Sequence, residues 1–353
     1  MPWRLAAFNG EIGLLADFIN TNWKKLYAAR GPYLLWRPEL FAWQMLQKLK
    51  KADWDKSVVA YRDDEIVGCA LGFPFVFCAD GKKFTANWLS WVTISKDEQA
   101  GGHGLSFKLL DAYVEKSLQS GIDIVFGLSQ EDQTSRYWQA YFRFARRTLH
   151  QYHETGFAGE CHYYMKMLDA ECFGMGDQSV VNLATPRLGG EIKIRPLVLP
   201  DVLACASIYR DLNSGAKIYR IWETCEWTKQ LLPSVIVQTL VLEVGGEVKG
   251  FINYYTCEMW GGSQKISVAC VAHFCARVGC PVEPVEQLLD EAGRQMRRAG
   301  IVAAILPNLH YFPKIDYAAC GYYLLPETFK LFYGNFNANF HADNRGEVPF
   351  DNV

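Results

Sequence analysis

The sequence predicts an α/β (α+β) chain made of two tandem copies of one domain, each a mixed, mostly antiparallel sheet flanked by helices. Three observations carry that expectation. Residues Trp88 to Gly127 read strand, glycine turn, helix, glycine stop, strand. Short motifs from the first half return in the second at a nearly constant spacing. The chain's 353 residues, half of them apolar and 14% aromatic, suffice for roughly two domains with sizeable cores.

The stretch Trp88–Ile94 (WLSWVTI) is β-branched and aromatic, which suits a mostly buried strand. In Gln99-Ala-Gly-Gly-His-Gly104, three glycines in four residues let the backbone turn sharply with its N–H groups unobstructed. A helix is expected from about Leu105 to Gly121, a residue suited to the left-handed conformation that ends helices. Ile122–Gly127 follows as a second buried strand. Bare amides at a helix N-terminus favour an anion, because unpaired N–H groups and the helix dipole both attract phosphate. Other phosphate loops do not fit. No Lys-Ser/Thr follows the glycines, and Asp123 stands at the start of its strand, where a dinucleotide fold puts its acid at the end.

The repeat is read from three pairs. Glu65-Ile-Val-Gly68 returns as Glu247-Val-Lys-Gly250, Ser120-Gly-Ile122 as Ala299-Gly-Ile301, and Tyr137 with Phe142 as Tyr317 with Tyr322. The offsets are 182, 179 and 180. A helix over Val285–Arg298 mirrors the first, with Glu283 and Glu286 at its start and Arg294, Arg297 and Arg298 at its end, complementing the dipole. The preceding loop, Ala276–Pro284, has one glycine, two prolines and Glu283, so it offers fewer amides and repels phosphate. The expected division is residues 1–168, a linker over 169–191, a second domain over 192–335 and a tail over 336–353.

Gln99-x-x-Gly102-x-Gly104 resembles the R/Q-x-x-G-x-G/A signature with which the GNAT acyltransferase superfamily cradles the CoA pyrophosphate. The resemblance implies that Gln99, Ala100, Gly101, Gly102, His103, Gly104 and Leu105 hold that group, with the pantetheine along Val92, Thr93 and Ile94. Gln130 to Phe142 resembles the family's next element, N-x-x-A-x-x-L-Y followed by G-F. Tyr137 and Phe142 fall on the tyrosine and phenylalanine, while Gln130 replaces the asparagine and Tyr141 the glycine. In the family that tyrosine protonates the departing thiolate, a role that suits a phenol. For Tyr137 the other reading is a helix tyrosine packed on the sheet.

By this resemblance the chain is an acyl-CoA-dependent N-acyltransferase using acetyl-CoA, with a small-molecule or peptide amine as acceptor. It is two GNAT-like domains in tandem, the second degenerate. Tandem acyltransferases such as the N-myristoyltransferases likewise keep a CoA-binding first half and use the second for the acceptor, a similarity of layout and not of motif. No acid stands on Trp88–Ile94 to serve as general base. The reading from another class is a non-catalytic CoA-binding or interaction protein that keeps the fold.

The remaining elements are read in order. Arg4–Phe8 is a first strand, and the region to Lys51 is helix-rich. Of its aromatics (Trp23, Tyr27, Tyr33, Trp36 and Trp43, with Trp54 beyond) core packing is the commoner fate and an acceptor pocket the other reading. Ser57–Tyr61 and Ile66–Phe77 form a hairpin, and Asp80–Lys83 turns into the central strand. The helix is apolar on two sides, Phe107, Leu110, Val114 and Leu118 against Leu105, Leu109, Ala112 and Tyr113, so the second half is expected to cover one of them. Arg143, Arg146 and Arg147 suit a solvated strand edge, the other reading being contact with a CoA phosphate or an acidic acceptor. His162–Met167 is expected to close the first domain's sheet.

A formal net charge of −2 argues against a general nucleic-acid partner. No apolar run approaches membrane-spanning length and no secretory signal is visible. Eleven scattered cysteines without a CxxC pair favour reduced thiols and a cytoplasmic location. Cys270, His273, Cys275 and Cys280 are the densest group. They read as buried thiols before they read as a zinc site, and no metal is expected.

Overall fold

The structure, a computed structural model, describes residues 3–27, 33–46, 51–100, 104–130, 141, 154–169, 192–216, 218–261, 264–307, 315–326 and 329–340. The chain divides into two compact units. The first holds Met1–Cys161, Trp260–Ser263 and Glu327–Val348, the second His162–Met259, Gln264–Pro326 and Pro349–Val353.

In chain order the first unit has β1 (Arg4–Ala7), α1 (Ile12–Tyr27), β2 (Tyr33–Leu35), α2 (Pro38–Leu46), a 3-10 turn (Lys51–Lys56), β3 (Val58–Arg62), β4 (Glu65–Ala79), β5 (Lys82–Ile94), α3 (Lys96–Ala100), α4 (Gly104–Gln119), β6 (Ile124–Gln130) and β7 (Glu154–Cys161). The second begins with β8 (Tyr163–Met167) and continues through β9 (Ile192–Pro196), α5 (Asp201–Asn213), β10 (Ile218–Ile221), α6 (Thr224–Leu231), β11 (Val237–Val244), β12 (Glu247–Gly261), β13 (Gln264–Ala276), α7 (Val282–Arg298), β14 (Ala303–Pro307) and β15 (Tyr323–Leu324). The last strand, β16 (Phe329–Asn335), belongs to the first unit.

The predicted hairpins form where turn chemistry allows. Asp63 and Asp64 both take positive φ, as do Asp80 and Gly81, the backbone that joins antiparallel strands by two residues. The helix stops match in both halves. Gly121 at φ 72° and Gly300 at φ 74° follow α4 and α7. The next N–H reaches back five residues in each case, Ile122 to Ser117 and Ile301 to Met296, both at 3.0 Å. Gly68 and Gly250 mark close approaches, since an added Cβ would lie 2.7 Å from a Leu109 methyl and 3.1 Å from the Cys275 carbonyl.

Sheet order repeats position for position. The first sheet runs β1-β3-β4-β5-β6-β16-β7 and the second β9-β11-β12-β13-β14-β8-β15. In each, the central pair is parallel, β5 with β6 and β13 with β14, as a strand–helix–strand crossover requires. Individual hydrogen bonds recur too. Asp123 N–H reaches Thr85 O at 3.0 Å and Val302 N–H reaches Ser267 O at 2.9 Å.

One expectation is corrected here. His162–Met167 does not close the first sheet. As β8 it lies in the second, antiparallel to β14 from Ala303↔Met167 to Pro307↔Tyr163. The matching place in the first sheet is taken by β16, antiparallel to both β6 and β7. Phe336 N–H bonds Asp123 O at 2.9 Å just as Leu168 N–H bonds Val302 O at 2.8 Å. The halves have thus exchanged one strand each, so the boundaries expected at 168 and 335 cut through shared architecture. Both segments read as short strands, and local pattern does not say which sheet a strand joins.

The two-sided helix is covered in part by the chain's second half, as expected, through the exchanged strand β16. Leu105, Leu109, Leu110, Tyr113 and Val114 are buried in one cluster with Val58, Ala60, Ala70, Leu89 and Val125, and Phe107, Ala112 and Leu118 pack against it. Cover for the outer side comes from within the first unit, through Tyr141, Phe332 and Phe336. Tyr141, at the family's glycine position, sets its ring 5.8 Å from Phe107 and donates from its hydroxyl to Asp111 at 3.1 Å.

Burial raises the Asp111 carboxyl above the ordinary carboxylate range; the Tyr141 bond opposes this and nearby Glu115 adds to it. The folded chain therefore holds this proton more tightly than the unfolded one. Its contribution to stability is present at low pH and lost as pH rises through the raised pKa. Asp111→Asn keeps an acceptor for Tyr141 and drops the charge. Its melting temperature at pH 7 should equal or exceed the parent's, a gain of about 0.5 kcal/mol at most after solvent screening. Melting curves at pH 4 and pH 7 check this, and a variant weaker than the parent at pH 7 would contradict it.

Candidate functional site

The first unit's parallel pair forks. β5 pairs with β6 from Ala86↔Ile124 to Leu89↔Gly127, and this register stops short of Ser90–Ile94. On its other side β5 pairs with β4 throughout, but with a bulge: Cys69 faces Thr93 and Leu71 faces Ser90, so β5 spends one residue more than β4. Trp91 absorbs that residue at φ 46°, a strained conformation for a bulky side chain. The second half slips at the corresponding place. Core-facing residues run Ala269, Val271, then Phe274, Ala276, matching Leu89, then Val92 and Ile94.

The bulge is held from several sides. Trp91 packs edge-on against Trp36 at 4.9 Å and Phe41 at 5.1 Å, and its carbonyl accepts from the Cys69 thiol at 3.2 Å. Trp23 donates to the Thr93 hydroxyl at 3.0 Å. Tyr33, Trp36 and Trp43 are buried, so these aromatics of the N-terminal helical region are committed to packing. Burial pushes the Cys69 thiol up to about 12, with hydrogen bonds to Thr93 opposing, so it stays protonated at neutral pH.

Of the predicted site residues, the structure brings Val92, Thr93 and Ile94 onto β5 beyond the fork. Gln99 and Ala100 end α3, Gly104 opens α4 at an exposed position, and Leu105 is buried beneath it. Gln130 ends β6. Gly101, Gly102, His103 and Tyr137 lie outside the described residues, as do Phe142 and the Arg143, Arg146 and Arg147 cluster.

Sequence reasoning missed the brace beside the turn. Glu98 is buried and forms a two-point pair with Arg62, 2.5 Å to Nη1 and 3.0 Å to Nη2, and it accepts from Trp3 Nε1 at 2.9 Å. Lys108, one turn into α4, lies 5.1 Å from the centre of the Trp3 ring. The acid of α3 is thereby paired, which leaves the field at the start of α4 favourable to an anion. Partners 95 and 36 positions apart leave no local signal.

The second unit lacks this arrangement. Offsets falling from 182 to 179 make its turn three residues shorter and set Glu283 against Gly104. α7 begins earlier than expected, at Val282, with Pro281 as its N-cap, and carries Glu283 and Pro284 in its first turn. Among the described residues no cluster of three or more His, Cys, Asp or Glu side chains could hold a metal ion. Among them also, no helix is long and apolar enough to cross a membrane.

The first unit thus combines a forked parallel pair, a bulged central strand and a helix opened by Gly104. Residues 17–145 match the model of the acetyltransferase (GNAT) family. Two solved structures of Saccharomyces cerevisiae N-myristoyltransferase with bound myristoyl-CoA are similar at 10% identity. One has TM-score 0.71, covering 95% of this chain and 80% of that one. The other has TM-score 0.72, covering 99% and 86%. A GCN5-related N-acetyltransferase from Anabaena variabilis is similar at TM-score 0.55 and 11% identity, over 95% of this chain and 73% of that one. No curated protein sequence matches the chain. The family match thus lies within the first unit, and the fold of the whole chain is the two-unit fold of the N-myristoyltransferase structures.

Proposed function

We propose that this chain transfers an acetyl group from acetyl-CoA to an amine of a small molecule or peptide, by direct attack. The observation that carries the reading is the fork: β5 leaves β6 after Leu89, and α3 and then α4, opened by Gly104, come next in the chain. In this reading the amides from Gln99 to Gly104 take the pyrophosphate, and the backbone of Val92, Thr93 and Ile94 pairs with the pantetheine, with Gln130 at the end of the neighbouring strand. The amine nitrogen attacks the thioester carbonyl, the carbon–sulfur bond breaks, and Tyr137 gives its proton to the leaving thiolate. A two-step route through Cys69 is disfavoured by that thiol's burial and raised pKa. Glu98 is committed to Arg62 and Trp3, so the amine's proton passes to water or to an acid elsewhere. The second half is read as serving the acceptor, and a cytoplasmic location is retained with it.

The test is thiol release from acetyl-, butyryl- and myristoyl-CoA against a panel of amines and N-terminal peptides. Acetyl-CoA is expected to be the best donor. Tyr137→Phe is expected to slow turnover roughly 10²-fold while leaving acetyl-CoA affinity nearly unchanged. An unaffected rate would return Tyr137 to packing. Binding of acetyl-CoA without turnover of any acceptor would favour a non-catalytic CoA-binding protein, the reading that the strand's lack of an acid supports.

A further inference from the structure

The cysteine group of the second unit pairs differently from its spacing in sequence. Cys270 on β13 has its sulfur 3.6 Å from that of Cys257 on β12, across the hairpin. Cys257 is fully buried and Cys270 partly exposed. The two sulfurs need to close by about 1.5 Å to reach bonding distance, a shift that side-chain rotation can supply. Cys270 also marks the end of the β13–β14 register at Cys270↔Ile305, the second unit's counterpart of the fork.

We propose that Cys257 and Cys270 are a redox-reactive dithiol that closes reversibly to an intramolecular disulfide, with hydrogen peroxide as the oxidant. The Cys270 thiolate attacks one peroxide oxygen; the O–O bond breaks and, with a proton, water leaves. The Cys257 thiol then attacks the Cys270 sulfenic sulfur; the S–O bond breaks and a second water leaves. Two thiols give up two electrons and two hydrogens, and peroxide takes them. The partly exposed Cys270 is the sulfur that peroxide meets first. Hydrogen bonds from the Cys257 thiol and the Tyr255 hydroxyl favour its thiolate against burial, holding its pKa below the ordinary thiol value. The new bond ties β12 to β13 where β13 parts from β14. This proposal stands independently of the CoA site.

The experiment is a thiol map of the full chain, reduced and then treated with equimolar hydrogen peroxide. After denaturation and alkylation, a peptide pair joined through Cys257 and Cys270 is expected, two hydrogens lighter than the separate peptides and reopened by dithiothreitol. Cys225, the exposed thiol among the described residues, supplies the control: Cys225→Ser should keep the link, whereas Cys257→Ala and Cys270→Ala should each abolish it. Should a core variant misfold, the map of the parent chain decides alone. Full alkylation of both residues after oxidation, or a link to any other cysteine in place of this pair, would overturn the proposal.

Discussion

A chain ending at Pro326 is expected to lose the first unit's fold and all CoA binding. The lost segment carries β16, hydrogen-bonded along its whole length to β6 on one side and β7 on the other. Its removal opens two edges inside a sheet and strips Leu331, Phe332, Tyr333 and Phe340 from the core, each at 1% exposure or less. At roughly 1.5–3 kcal/mol per buried side chain, the four contribute about 6–12 kcal/mol. That is comparable to the whole stability of a typical domain, about 5–15 kcal/mol. Gly127 is fitted to this strand, since an added Cβ would sit 2.2 Å from the Phe332 ring. Residues 1–169 should fail for the same reason. Fusing 327–348 behind Cys161 through a flexible linker should restore a folded first unit. Circular dichroism melts and gel filtration of the three forms decide it, and a 1–326 chain that melts like the parent would refute the argument.

Gly104→Val is expected to remove measurable CoA binding, a loss of at least about 10²-fold, with the fold intact. The fold tolerates the change because, among the described residues, a Cβ at this position meets only the Trp3 ring, at 3.6 Å. Helix propensity does not oppose the change, because valine is no worse than glycine within a helix. What the side chain obstructs is close approach of a phosphate to the amides that open α4. Calorimetric titration of the parent with acetyl-CoA should give one site per chain, since the second unit sets Glu283 and Pro284 at the corresponding place. Undiminished binding in the variant, or two sites in the parent, would count against this placement.

Local chemistry made much of the fold legible. β-branched and aromatic runs flanked by glycine and aspartate turns announce strands, and α4 and α7 declare their ends through Gly121 and Gly300. The repeat was legible because those same constraints recur in both halves. The destination of β8 and β16 was not, because a strand's sequence records which face is apolar and not which sheet it completes. Trp91 gave no sign of a bulge, since a tryptophan at positive φ is dictated by tertiary packing. Likewise nothing near Glu98 in sequence names Arg62 or Trp3 as its partners.

The strand exchange sets the order of events during synthesis. β6 leaves the ribosome at Ile124–Gln130, yet its partner β16 ends at Asn335. At roughly 5–20 residues per second, about 200 residues of waiting is about 10–40 s during which the nascent first half has a gap in its sheet. Helix α4 is already made, but β6 and β7 have no strand between them to pair with. Folding therefore cannot finish from the N-terminus onward, and the first half is completed only when nearly all of the second has been translated. The newborn chain presents unpaired strand edges through that interval, the period in which a holdase chaperone would find it.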